Sequence, residues 1–305
     1  MLATIAVGLE SAKALGLKEK YPFLALLPVS FPGLMYQCSD LRRYICVDAT
    51  DGNMYHVCFA KTDDAIHLTP MGNGGRVNIL QWWDEFSRRL TTQCYSPHPI
   101  FGKDHPGVHA VDLYPRTSPL MVACETHGIR VEASTVHYAH PSYGWTYSIR
   151  LKVVDITKIP GYTPSDGGGS SSSDSDSSSG SSHSKQETFF GAQLTMRHWV
   201  IKNASTGQVR NVDGPGVIGK FPILHDKGYI DVESKGDDSF IQHQAQDGWF
   251  IYQSNSGNLS NGSTFGGRLT FVVNRSGTNA TGNLNAVRFD VVVPTFVLKK
   301  QEYYY

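Results

Sequence analysis

The sequence predicts a mainly β protein: an antiparallel sandwich or barrel over residues 119–300, preceded by a small α+β segment over residues 20–118. Three observations predict it. Short runs beyond residue 120 alternate apolar and polar side chains with the period of a strand. Clusters of Gly, Asn and Ser separate them, as at Ser205-Thr206-Gly207, Asn255 to Gly262 and Ser276 to Asn283. No stretch between residues 120 and 300 repeats with the period of a helix, and many short strands with turn signals imply two packed sheets or a closed barrel.

The elements follow in chain order. Met1 to Leu17 is alanine-rich, carries Glu10 and lacks a basic leading region, so residues 1–19 read as a short helix rather than a secretory signal. Arg43 to Asp48 and Met54 to Phe59 are strands around the turn Asp51-Gly52-Asn53. Asn78 caps a helix with Gln81 as its capping-box partner, and Ile79, Trp82, Trp83, Phe86 and Leu90 form its apolar stripe.

In Gly128 to Val136, Ile129, Val131 and Ala133 share one face, and Arg130, Glu132 and Ser134 the other. Trp145, Tyr147, Ile149, Leu151 and Val153 alternate with Thr146, Ser148, Arg150 and Lys152, a half-buried strand. The run Ser165 to Ser184 is serine and glycine with a few aspartates. It cannot bury enough apolar surface to offset the entropy of ordering it, so a disordered insertion is expected over residues 160–187. The strands on either side belong together, which makes the insertion an overgrown hairpin loop rather than a linker between domains.

Gln193 to Ile201 is the next strand, with Arg197 and Trp199 on one face and His198 on the other. Residues 225–247 read as a second insertion. Trp249 to Gln253, Arg268 to Val273 and Val287 to Val293 complete the set. Phe289 points inward in the last; Pro294 should stop its ladder, with Phe296 and Leu298 resuming the apolar rhythm.

Composition narrows the function. Lysine plus arginine equals aspartate plus glutamate at 27 each, which argues against a large nucleic-acid footprint. No run of eighteen apolar residues appears, so no membrane partner is expected. The five cysteines (Cys38, Cys46, Cys58, Cys94 and Cys124) are odd in number and form no CxxC pair. That suits a reducing compartment, cytoplasmic or nuclear, with Cys46 and Cys58 as buried free thiols. Asn-x-Ser/Thr sites such as Asn203 and Asn279 then read as chance.

The run Gly214-x-Gly216-x-x-Gly219 has dinucleotide-binding spacing. That fingerprint needs a strand before it and a helix after it. Pro215 lies inside this run, Pro222 follows, and no helical pattern comes next, so a dinucleotide site is excluded. Two readings stand: a tight turn needing positive φ at glycine, or a nest of N–H groups that binds an anion. Likewise Arg197 is either a cross-strand partner or an anion clamp, and His198 is expected to be satisfied in the core. His98, His105 and His109, with Asp104 and Asp112, lie in a proline-containing loop without zinc spacing, and His137 and His140 fare no better, so no metal is expected. No cofactor fingerprint and no catalytic motif emerges, which argues against an enzyme.

The residues also resemble a known family. Arg197-His198-Trp199-Val200-Ile201, then Gly214-Pro215-Gly216-Val217-Ile218-Gly219, then Phe221-Pro222-Ile223-Leu224 resemble the central motifs of ApaG domains. Gly128 to Val131, Trp145 to Leu151, Gly262 to Phe271, and Arg288-Phe289-Asp290-Val291 to Pro294-Thr295-Phe296 match the flanking strands in order. The resemblance implies an immunoglobulin/fibronectin-III-like sandwich. It gives His198, Trp199, Pro215, Pro222, Phe289 and Pro294 the standing of family motif residues, and Arg197, Gly214, Gly216 and Gly219 that of a candidate anion site. Phe31 to Asp48 and the Trp82-Trp83 helix resemble part of a SUKH-type domain, in the arrangement of F-box only protein 3 and its plant relatives. The function implied is a binding module that recognises a protein substrate for an SCF-type ubiquitin ligase. No F-box is visible upstream, so Skp and cullin are implied partners only if one precedes this chain. The alternative is a sensor of pyrophosphate, nucleotide or another small anion.

Overall fold

The computed structural model describes residues 24–26, 41–60, 66–71, 77–99, 109–112, 114–137, 144–162, 191–230, 248–257, 259–277, 279–283 and 285–300. The expected N-terminal helix, Asp104, His105 and His140 fall outside them, as do residues 163–187 of the serine-rich insertion and residues 231–247 of the second insertion.

The first unit is a four-stranded antiparallel sheet and one helix. Strands β1 (Leu24–Leu26), β2 (Leu41–Asp48), β3 (Met54–Ala60) and β4 (Ile66–Pro70) pair in chain order. Gly52, at φ 75°, turns β2 into β3 and donates its N–H to the Asp48 carbonyl at 2.8 Å. Helix α1 (Ile79–Thr91) begins with the expected capping box. Asn78 Oδ1 accepts the Leu80 N–H at 2.8 Å, and Gln81 Oε1 accepts the Asn78 N–H at 3.1 Å. Trp82 and Phe86 stack at 4.8 Å and join Val47, Met54, Met71, Val77, Cys94 and Tyr95 in a small core. Trp83, expected on the buried stripe, is 59% exposed; one step of 100° from Trp82 carries its ring past the edge of the narrow core. The segment expected to be a loop after α1 forms a two-stranded ribbon, β5 (Ser96–Pro99) with β6 (His109–Asp112).

The rest is two antiparallel sheets around one interior. One sheet runs β14-β9-β8-β7, from β7 (Met121–Thr126), β8 (Ile129–His137), β9 (Trp145–Val153) and β14 (Phe250–Ser256). The other runs β13-β12-β10-β15-β16, from β10 (Gly191–Lys202), β12 (Ile223–His225), β13 (Gly228–Ile230), β15 (Ser263–Asn274) and β16 (Arg288–Leu298). Strand β11 (Val209–Pro215) also pairs with β10. Between residues 120 and 300 the described residues contain one 3₁₀ turn, Ile156–Lys158, and no α-helix. The inward faces of both sheets meet in one cluster that includes Val131, Ile149, Leu151, Leu194, Leu269, Phe271 and Val291.

Three sequence expectations change here. Strands β9 and β10 are not hairpin partners. The neighbours of β9 are β8 and β14, while β10 lies in the facing sheet, so the serine tract joins one layer to the other. The shared interior holds nonetheless: Phe265 lies 4.8 Å from Tyr147 and 5.1 Å from Trp199. Alternation specifies a buried face, and a strand across the sandwich satisfies it as well as a strand beside it.

Strand β9 is not half-buried either. Thr146, Ser148 and Arg150 are as buried as the apolar set. Arg150 donates to the Pro115 carbonyl at 3.2 Å and to Ser134 Oγ at 3.1 Å, so the segment leading into the sandwich lies over that face. Finally, Pro294 does not end the ladder. Strand β16 continues through it by a bulge, with Val293 opposite Gly267 and Phe296 opposite Phe265. The extra residue restores inward facing to Phe296 and Leu298, and a proline without N–H is tolerated there because β16 is the last strand of its sheet. The first part of the second insertion is structured, as the β12–β13 hairpin around Asp226-Lys227.

Candidate functional site

The family motifs converge on the middle of β10. Its pairing with β15 slips by one residue between Leu194 and Met196. Before the slip Ala192 and Leu194 face the interior; after it Trp199 and Ile201 do. The bulge therefore turns Arg197 inward beside Trp199, as the alternation of Arg197, His198 and Trp199 required. Thr195, inside the bulge, accepts the Gly216 N–H at 2.8 Å, which ties the glycine turn to the strand.

The glycine run has a mechanical explanation. Arg197 lies opposite Gly214, and a Cβ at Gly214 would come 2.8 Å from the Arg197 guanidinium. Gly216 sits at φ 53°, where a Cβ would meet the Lys220 carbonyl at 2.4 Å. Val217 and Lys220 exchange both backbone hydrogen bonds, 3.0 and 2.8 Å, around Ile218 and Gly219 at φ 46° and 78°. Positive φ at both central residues makes this a type I′ turn. The N–H groups of Gly216 and Val217 thus have backbone acceptors, so they are not available as an anion nest. Pro222 is buried, and its carbonyl accepts the Leu194 N–H at 3.0 Å. Phe289 stacks on Phe271 in the core, with ring centroids 5.9 Å apart.

Arg197 donates from one terminal nitrogen to the Pro215 and Gly216 carbonyls at 2.9 and 2.8 Å. No described acceptor takes its other N–H groups. It borders a cleft of about 190 Å³ between the two sheets, toward one end of the sandwich. Aromatic walls come from Tyr147, Trp199, Tyr252 and Phe265, polar groups from Arg210, Ser254 and Ser256. No Asp or Glu lines it among the described residues. The Tyr147 hydroxyl pairs with the Ser254 side chain. The Tyr252 hydroxyl is buried without a hydrogen-bond partner among the described residues. Burial pushes both phenols above the ordinary tyrosine value, Tyr252 well above it, and the Arg197 charge opposes that rise. Both therefore remain neutral donors.

His198 lies on the outer face of its sheet, not in the core. Nδ1 is 2.9 Å from Asp213 Oδ1, and Nε2 is 3.2 Å from Thr270 Oγ1. This Asp–His–hydroxyl order resembles a nucleophile relay, but the Thr270 hydroxyl donates to Asp290 Oδ1 at 2.6 Å, away from His198. Asp290 in turn pairs with Arg268 at 3.0 Å. The set is a cross-strand network on an open sheet face.

Sequence reasoning found Arg197 but missed Arg210, Tyr147, Tyr252 and Ser254. A weak signal existed: Tyr252, Ser254 and Ser256 alternate along one strand, as do Arg210 and Val212 along another. Only the pairing of β11 with β10, and the position of β14 across the interior, brings them together. Cys46 is buried and forms no disulfide among the described residues, while the side chain of Cys58 lies outside what the structure describes. Among the described residues no group of three His, Cys, Asp or Glu side chains is placed to hold a metal, and no helix is long and apolar enough to cross a membrane.

Residues 133–230 match DUF525, the ApaG domain family. The F-box protein SKIP16 of Arabidopsis thaliana is 26% identical over 229 residues, which cover 72% of this chain and 41% of that protein. F-box only protein 3 of Homo sapiens is 25% identical over 213 residues, 68% of this chain and 37% of its own length. The chain spans about two fifths of the length of the curated relatives it matches. Among solved structures, the ApaA protein of Bordetella pertussis aligns over 56% of this chain and 93% of its own, at 17% identity and a TM-score of 0.31. The family match runs from within β8 to the end of β13 and takes in strands of both sheets, so residues 133–230 of the sandwich match the ApaG domain, while β14, β15 and β16 close the same interior.

Proposed function

We propose that this chain is a non-catalytic protein-recognition module, the part of an SCF-type ubiquitin ligase receptor that presents a surface to the substrate. The supporting observation is the reach of the similarity to SKIP16, more than twice as long as the ApaG match itself. It therefore extends beyond the matched residues 133–230 into neighbouring sequence of an F-box protein. The fold suits the role: β11 and β14 are strand edges that pair on one side only among the described strands, and an unpaired edge can take up an extended segment of a partner. The localisation that goes with the role is cytoplasmic or nuclear. Purifying the endogenous full-length protein from its own cells, with quantification of Skp and cullin, tests it. Both should co-purify in near-stoichiometric amounts; recovery of neither would overturn the ligase reading. The alternative, a pyrophosphate or nucleotide sensor built on the glycine turn, has less support, because the N–H groups of Gly216 and Val217 are bonded within the fold.

A further inference from the structure

The cleft beside Arg197 combines features that the stability of the sandwich does not require. Tyr252, only 3% exposed, lines it, and its hydroxyl has no partner among the described residues. A buried hydroxyl left unpaired has given up its hydrogen bond to water without replacing it, so an acceptor brought by a ligand would be favourable there. The cleft also carries two guanidinium groups and no described carboxylate. Arg197 is held flat over Gly214 by its bonds to Pro215 and Gly216, which fixes its direction and leaves further donors unused. Arg210, exposed on β11, has no ion pair among the described residues. Fixed donors without acceptors and positive charge without counter-charge describe a site for an anion. Around them the walls are apolar: Trp199, Phe265, Val212 and Ile218.

We propose that this cleft binds an organic anion of side-chain size, an apolar body ending in a carboxylate or phosphate. The acidic end meets Arg197 and the Tyr252 hydroxyl, Arg210 supplies a second charge at the rim, and the body packs on Trp199 and Phe265. Size sets the limit: a cleft of about 190 Å³ lies below the range of roughly 300–1,000 Å³ that encloses drug-sized ligands. It accepts one side chain or one small acid, not a nucleotide. Two sources share this chemistry, a free small acid and the acidic side chain of an extended peptide lying along the open edge of β11. The site differs from a glycine-turn nest because its donors are side chains, and it does not depend on the ligase reading.

Calorimetric titration of the full chain with benzoate, phenyl phosphate and inorganic phosphate tests the proposal. At least one organic anion should saturate, with inorganic phosphate about tenfold weaker or more for want of an apolar body. Arg210→Ala and Tyr252→Phe should each weaken binding by about tenfold, while Arg268→Ala on the outer face should leave it unchanged. Arg197→Lys, which keeps the charge and loses the fork, should weaken it as well. An acetylated pentapeptide with a central glutamate between valines separates the sources. Binding more than tenfold tighter than benzoate assigns the site to a polypeptide, and equal or weaker binding to a free acid. The proposal is overturned if neither organic anion saturates at millimolar concentration, if inorganic phosphate binds as tightly as they do, or if Arg210→Ala and Tyr252→Phe bind like the wild type.

Discussion

At Gly216 a backbone φ of 53° coincides with a carbonyl that would sit 2.4 Å from any Cβ. Gly216→Ala should therefore cost about 2 kcal/mol or more, read as a lower denaturation midpoint; an unchanged midpoint would show that the turn relaxes freely. The two tyrosines of the cleft should respond with opposite sign. Tyr147→Phe removes a hydroxyl bonded to Ser254 and should destabilise by about 1 kcal/mol. Tyr252→Phe removes a hydroxyl that has no partner, so it should be neutral or stabilising by up to about 1 kcal/mol in the absence of ligand. Urea denaturation of the pair decides the point; a loss in Tyr252→Phe as large as that in Tyr147→Phe would mean that the hydroxyl is satisfied after all. At this scale the sequence identified Arg197, Trp199 and the glycines, because alternation and spacing are local. It could not identify Arg210 or Tyr252 as their neighbours, since 42 residues separate the two in the chain.

Helix α1 is the element whose stability is most locally encoded. Its capping box was legible as Asn78 and Gln81, and Asn78→Ala should cost about 1 kcal/mol. Its last turns carry a charge cluster. Glu85 accepts from Arg88 at 2.7 Å and from the buried Arg89 at 2.6 Å. The Arg88 hydrogen bond is the largest influence that holds the Glu85 carboxyl down, from 4.5 to about 2. A carboxyl lowered on folding adds stability that is complete above its unfolded value and is lost as pH falls toward the folded one. The helix unit should thus lose this contribution between about pH 4.5 and pH 2. Glu85→Gln should cost about 1 kcal/mol at neutral pH, kept small by solvent at Arg88, and should flatten the acid limb of the stability curve. An acid limb identical to that of the wild type would refute the assignment. Strand β10 shows the opposite case. Its residues read as one run of mixed faces, and only the slip in pairing with β15 explains why inward positions change parity at Thr195. A bulge depends on the partner strand, which lies some seventy residues away in the chain, so no local window reveals it.

Across the whole molecule, Phe265 is the residue on which the two halves of the chain meet, in contact with Tyr147 from one sheet and with Trp199 and Phe296 from the other. Phe265→Ala should cost about 3–5 kcal/mol, and thermal unfolding should report the loss for the sandwich as a single body. Because the serine tract crosses between layers, its length should matter only through closure entropy. Halving the segment 163–190 should shift stability by about 0.6 kcal/mol, with one cooperative transition for the sandwich. Two separate transitions would mean that β7–β9 and β10–β16 do not share an interior.

By itself the sequence determined which faces are apolar, where turns fall, how α1 starts, and that the strands flanking the serine tract serve one core. All but the last depend on neighbours within a few residues, where geometry is set by the pitch of a helix or the pleat of a strand; the last rests on the ApaG-like motifs that lie on both sides of the tract. Tertiary structure alone decided which strands pair, that β9 and β10 face each other across the interior, that Arg150 is buried under Pro115, and that Arg197, Arg210 and Tyr252 border one cleft. Pairing between distant segments is chosen by the packing of the whole interior, and the same alternating pattern is compatible with several neighbours until that packing selects one.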